Sequence, residues 1–463
     1  MPKIIIMNNA NEQMLGRKLN SQQAMFASKA ALRNVWLASP GDIIVSTLVP
    51  SIEFMTYVVE IMSPTSKEIS NFGIEFITPD TIDEPGIVLN DAFLLQPKLV
   101  AALRARIKHA QEWSVLSCYQ TAGTARLQSM LGLSGVDGRA IGRNFAYQYG
   151  TDLLNRKSHF RQFATGAGLP LPEGEIVNNV DSLVRVVAEL MPVTGKLIVK
   201  MDQGVSGTAN FILTTSPTDA LPGASQCITL PSAGGTETAA VLMQLWHTWQ
   251  TTSPGSAVVE VYHMASDMFY LEFVINSTGQ SQFLNSGTIR LRKHDNPESK
   301  ELFWIGLELP AKLPHFAFAE AVLCCGRFLQ LAAQMGYRGH INIDAIITET
   351  GLLMFNESNA RWGGGTVLHE VATRLIGPNF SSTHVASSFR DVHSPGFAHL
   401  LTLLEIGDIS YNPATQEGVV VLACDDQYSH SFEALILAKN TDRVRAFERQ
   451  LMDTLNSTNK AAA

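Results

Sequence analysis

Over the first 150 residues, short apolar runs alternate with longer stretches of helical character. The runs Lys3–Asn8, Asp42–Thr47 and Trp113–Ser117 are rich in β-branched and apolar residues, and Ser21–Leu37 and Pro97–Ala110 lie between them. Strands separated by helices predict a doubly wound α/β domain. No GxGxxG follows the first strand, so a dinucleotide-binding domain is not supported. From about 151 the pattern changes. A helix over Arg156–Ala167 meets the turn Gly168–Pro172, and strands then cluster at Lys196–Met201, Ala209–Thr214, Ala257–Tyr262, Met268–Ile275 and Ser281–Leu291. Helices over Glu237–Trp249 and Phe316–Met335 accompany them, as in α+β lobes. Four units are expected: 1–150, 151–255, 256–385 and a small terminal domain at 393–463. The last contains Gly418–Ala423, an amphipathic helix over Asp442–Leu455 and a tail expected to be disordered.

Composition narrows the function classes. The chain has 463 residues, 46% of them hydrophobic, so core material is ample. Its net charge of −8 offers no basic surplus to neutralise phosphates, which argues against nucleic acid as the partner. No apolar run approaches the roughly 20 residues needed to span a bilayer, so no membrane span is expected. The apolar core of MPKIIIMNNA is too short for a signal peptide. Five cysteines, odd in number and without CxxC spacing, fit a reducing cytoplasm and argue against disulfides or a zinc site.

The segment from Gly339 to Gly365 carries the chemistry. It reads as two strands joined by a turn, with Asp344 on the first and Glu357 and Asn359 on the second. Side chains alternate along a strand, so Glu357 and Asn359 share a face, and a tight hairpin would bring Asp344 onto it. Two carboxylates and an amide suit a hard cation such as Mg²⁺. Arg361 and three glycines follow, and a cation site beside an arginine and a flexible backbone suggests phosphate chemistry. Lys200 ends the run LIVK before a Gly/Ser-rich turn that could close over phosphate oxygens. Glu260 ends an apolar strand and Asp267 follows seven residues on, a candidate hinge for a purine and a ribose. Arg290 and Arg292 share a strand face and could hold a carboxylate or a phosphoryl group, or simply face solvent. His159, His340 and His369 have no metal-ligand spacing and read as structural.

In order, these pieces resemble an ATP-grasp ligase over roughly Lys157 to Gly377. The resemblance implies an N-terminal doubly wound α/β (pre-ATP-grasp) domain, a two-lobed ATP-grasp fold and a small C-terminal domain. Within the superfamily the chain looks most like the pheganomycin-type peptide ligases, on the opening KIIIMNNAN and the stretch ESNARWGGG. It implies ATP with Mg²⁺, two ions being usual and Mn²⁺ an alternative. Lys157 and Lys200 would contact phosphates, and Gly204, Ser206 and Gly207 would cover them. Glu260 and Val261 would face adenine and Asp267 the ribose. Asp344, Glu357 and Asn359 would hold the metal, with Arg361, Arg290 or Arg292 stabilising the transferring group. Many relatives carry arginine where this chain has Asn342, and glutamate where it has Asp267. The expected reaction joins a small acid such as an amino acid to an amine or peptide through an acyl phosphate, in natural-product biosynthesis. A homodimer is the superfamily expectation. A thiol or hydroxyl acceptor, a carboxylase and a non-catalytic nucleotide-binding module remain alternatives.

Overall fold

The computed structural model describes residues 1–16, 18–63, 73–83, 88–133, 139–140, 143–202, 209–217, 221–293 and 302–461. Its first layer is a parallel sheet of Glu75–Ile77, Ile43–Val45, Lys3–Ile6 and Ser114–Ser117, in that spatial order. Parallel strands covered by helices on both faces are near-continuous apolar runs, and Ile4–Ile6 is of that kind. Ile4 and Ile6 enter one core while Ile5 enters the opposite one. The doubly wound domain is therefore present, with Glu75–Ile77 as a strand that the pattern did not reveal.

A second sheet runs Gln226–Thr229, Asn210–Thr214, Lys196–Met201, Ala257–Val261, Gly174–Val177. Helices Val180–Thr194 and Thr236–Thr252 supply the apolar partners that cover it. Ala257–Val261 hydrogen-bonds between Lys196–Met201 and Gly174–Val177. The lobe boundary expected at 255/256 thus falls after Val261, because a central strand of the first lobe's sheet lies beyond it.

The third sheet has eight strands in the order Leu353–Asn359, Gly339–Thr348, Ala265–Ile275, Ser281–Lys293, Leu302–Leu309, Val385–His393, Ser431–Ala438, Gly418–Asp425. Val385–His393 carries the terminal hairpin into the same ladder as the second lobe. One face packs against helices Lys157–Gly166 and His315–Met335. The other packs against helix Gly364–Leu375 and the N-terminal domain. Contrary to the expectation of no such run, His315–Met335 has 21 residues and is apolar enough to cross a bilayer by length and composition alone. Its residues Ala321, Cys324, Cys325, Phe328, Leu329 and Ala332 are buried in the core against the sheet. The closing helix runs Thr441–Ala461, through most of the tail expected to be disordered.

Candidate active site

A cavity of about 540 Å³ opens where the two lobes and the N-terminal domain meet. Its centre is the hairpin Gly339–Thr348/Leu353–Asn359. Asp344 stands opposite Glu357, and Asn342 opposite Asn359. The ladder slips between Asp344 and Ala345, so Asn356 is an extra residue on the second strand. A bulge of this kind turns consecutive side chains to one side, and Asn356, Glu357 and Asn359 all line the cavity with Asp344. The Asn359 amide lies 3.5 Å from the Asp344 carboxylate. The geometry brings together the three residues proposed from spacing alone and adds Asn356, whose bulge left no sequence signal.

The electrostatics fit a cation site. Burial pushes the Asp344 carboxyl well above the usual range, and the neighbouring Glu357 adds to it. Burial alone would raise Glu357 too, but Lys157, Lys200 and Arg361 together hold it below its ordinary value. A divalent ion would relieve the repulsion between these carboxylates. The Lys157 ammonium is 3.4 Å from Glu357. Lys157 is the first residue of its helix, and the carboxylate of Asp202, just past strand Lys196–Met201, accepts from the Ser158 backbone at 2.8 Å and caps that helix. Asp202 was not singled out in the sequence, since its partner lies 44 positions away.

Lys200 and Glu260 form a buried pair 2.6 Å apart, and Arg161 reaches the other Glu260 oxygen at 2.8 Å. Glu260 thus anchors two cations, a role the adenine expectation did not include. The Val261 backbone N–H donates to the Glu173 backbone carbonyl at 2.8 Å, so that group is not available to a purine edge. The cavity beside them is an apolar slot of Ile198, Leu221, Tyr262, Met268 and Ile346, suited to a flat ring. Asp267 is outside the cavity lining, and the Ser266 hydroxyl donates to it at 2.9 Å. The backbone is irregular at Ser266, so Ala265 and Met268 face the cavity while Asp267 does not. Gly204, Ser206 and Gly207 lie outside the described residues.

Of the arginines proposed, Arg361 lines the cavity, and the Asn155 side chain accepts from it at 2.7 Å. Arg290 and Arg292 do share a face, but Ile289 and Leu291 occupy the cavity side of that strand. Arg290 instead pairs with Glu448 at 2.6 Å and donates to Ser387 at 2.7 Å, tying the closing helix to the sheet. Arg292 is exposed beside Phe303 in the ladder. The glycine triplet also differs from expectation. It is no flexible linker but the start of helix Gly364–Leu375, and close packing requires it. A β-carbon at Gly363 would sit 2.8 Å from the Asn342 amide nitrogen, and one at Gly365 would collide with the Tyr270 hydroxyl. Among the described residues no group of three His, Cys, Asp or Glu side chains could hold a metal; the candidate set depends on an asparagine.

The pre-ATP-grasp domain family matches residues 31–133. No curated protein matches the sequence. An N5-carboxyaminoimidazole ribonucleotide synthetase, solved as an ADP complex, superposes with TM-score 0.55 at 11% identity, over 97% of this chain and 96% of its own. A biotin carboxylase from Campylobacter jejuni, solved as a β-γ-ATP complex, gives 0.57 at 12% identity, covering 98% and 91%. An L-amino acid ligase from Bacillus licheniformis gives 0.50 at 13%, covering 98% and 97%. The chain carries a pre-ATP-grasp domain and has the fold of the ATP-grasp superfamily.

Proposed function

We propose that this chain is an ATP-dependent ligase that activates a carboxylic acid by phosphoryl transfer and couples it to an amine, releasing ADP and phosphate. The observation that carries this reading is the Asp344–Glu357 pair facing one cavity with Lys200 and Arg361, and Lys157 held against Glu357 at 3.4 Å. The similar enzymes named above include an amino acid ligase and nucleotide complexes, which supports the same class.

A carboxylate is a poor electrophile and must first become an acyl phosphate. Its oxygen attacks the terminal phosphorus as the bond to the ADP oxygen breaks. The amine then attacks the acyl carbon, the C–N bond forms, phosphate leaves and the nitrogen gives up a proton. The obstacle is charge, because two anions must meet. Asp344, Glu357 and Asn359 would hold Mg²⁺, which supplies charge neutralisation at the phosphates. Lys157, fixed by Glu357, and Lys200, fixed by Glu260, add positive charge without further reorganisation. Arg361, oriented by Asn155, faces the developing acyl phosphate. The slot of Ile198, Tyr262 and Ile346 takes the purine.

Glu357→Gln tests it. Loss of one preorganised electrostatic group costs about 2.7–4 kcal/mol, so amide formation should fall at least about a hundredfold with the fold intact. Phosphorus NMR of a turning-over mixture should show ADP and phosphate. AMP and pyrophosphate, or an unimpaired variant, would overturn the reading.

A further inference from the structure

The far end of the cavity lies beyond the carboxylate pair and is built differently. Its walls are Ile289, Leu291, Trp304 and Leu307, and among the described residues its one charged side chain is Arg33 from the N-terminal domain. Arg33 is 9% exposed. Its guanidinium pairs with Glu433 at 2.9 Å and donates to the Gly364 carbonyl at 3.2 Å, while its Nε has no partner. Glu433 is not Arg33's alone. Arg390 approaches it at 3.6 Å and lies over the Trp304 ring at 4.5 Å. Among the described residues, two guanidinium groups therefore share one carboxylate, leaving about one positive charge in a mostly buried place. Burial works against the charged form of Arg33, Glu433 offsets it, and Arg390 opposes it again. An unbalanced buried charge is costly unless an anion completes it.

Nothing in the phosphoryl-transfer site uses this charge. Arg33 bonds the backbone of Gly364, three residues past Arg361, and three extended residues span at most about 11 Å. An anion at Arg33 is thus near the reaction centre but separate from it. The acid being activated must spend its carboxylate at Arg361, so a second carboxylate belongs to the molecule that brings the amine.

We propose that this end of the cavity is a seat for an amino acid acceptor, whose free α-carboxylate binds Arg33 and whose apolar side chain lies against Trp304 and Leu307. The proposal rests on the ligase reading above. The seat selects free amino acids over amides and simple amines. It also makes the N-terminal domain a determinant of specificity, since Arg33 comes from the turn Leu32–Leu37 of that domain.

Calorimetric titration of the full chain tests it with leucine, methionine and phenylalanine, each against its own amide. A charge-assisted hydrogen bond to the guanidinium is open to the acid and not to the amide, so at least one free acid should bind about tenfold or more tighter than its amide. Arg33→Met leaves Glu433 with Arg390 and should bind acid and amide alike. Arg33→Lys keeps the charge without the fork and should retain part of the preference. Equal binding of acids and amides to the wild type, no binding of any of them, or full preference in Arg33→Met would overturn the seat. A parallel MgATP titration separates the two readings: if MgATP binds but no acid is preferred, only the seat falls. If MgATP fails to bind the wild type, the ligase reading falls with it.

Discussion

Glu272 is completely buried at the back of the site, on strand Ala265–Ile275. One carboxyl oxygen accepts from Asn285 at 2.8 Å, and the other accepts from the Thr366 hydroxyl. Thr366 in turn accepts from the Gly363 backbone at 2.8 Å, so the chain of bonds ends on the glycine turn that walls the cavity. Burial pushes the Glu272 carboxyl up to about 7, against the two hydrogen bonds that favour its anion. The folded value thus exceeds the unfolded one, near 4.5. Stability from this group is complete below about pH 4.5 and is lost as pH rises toward 7, because the unfolded chain releases its proton first. Over that span of about 2.5 units, at about 1.4 kcal/mol per unit, the loss is on the order of 3–4 kcal/mol. Glu272→Gln keeps the shape and removes the titration. The variant's stability relative to wild type should therefore rise with pH and level off above about 7. Urea unfolding of both proteins between pH 4.5 and 8, with hydrogen exchange of strand Ala265–Ile275 as the local reporter, measures the difference. A difference that does not change with pH would refute the reasoning.

Other outcomes follow from the same contacts. Glu260→Gln leaves Lys200 and Arg161 without their shared anion; breaking a buried pair costs about 3–5 kcal/mol, and both the unfolding midpoint and MgATP affinity should fall. Arg290→Met should lower thermal stability by breaking the Glu448 contact yet leave turnover within about twofold. Arg361→Met should lower kcat about a hundredfold or more, in line with loss of a preorganised charge. Asn155→Ala frees the Arg361 guanidinium from its 2.7 Å partner, so kcat should drop while nucleotide affinity, measured by calorimetry, is unchanged. Gly365→Ala would drive a methyl group into the Tyr270 hydroxyl, and its cost should appear in the thermal unfolding of the purified chain.

What was legible in the sequence was local and periodic. The hairpin of Asp344, Glu357 and Asn359 is a matter of strand alternation, and the run Ile4–Ile6 carries its two-sided burial in its composition. What was not legible depends on contacts between distant segments. Strand alternation puts Arg290 and Arg292 on one face, but which face meets the cavity is fixed by Ile289 and Leu291 seeking apolar cover. Asp267 lost its place to a bulge. The helix cap from Asp202 and the clamp from Arg161 on Glu260 join elements 44 and 99 positions apart, and no spacing rule reaches them.

The glycine triplet shows why such contacts decide function. Composition made it look mobile, and packing makes it rigid. Asn342 stands against Gly363, Leu307 against Gly364 and Tyr270 against Gly365, each from a different strand of the long sheet. A backbone pressed this closely onto three strands cannot drift relative to Asp344, which shares its strand with Asn342. Arg361, just before the triplet, and Arg33, bonded to Gly364, are therefore held to the same frame as the carboxylate pair. Positioning of that kind brings reacting groups together at fixed separation, and it is the main contribution a protein makes to phosphoryl and acyl transfer. The absence of side chains at these three positions is what allows the sheet, the helix and the N-terminal domain to converge on one cavity.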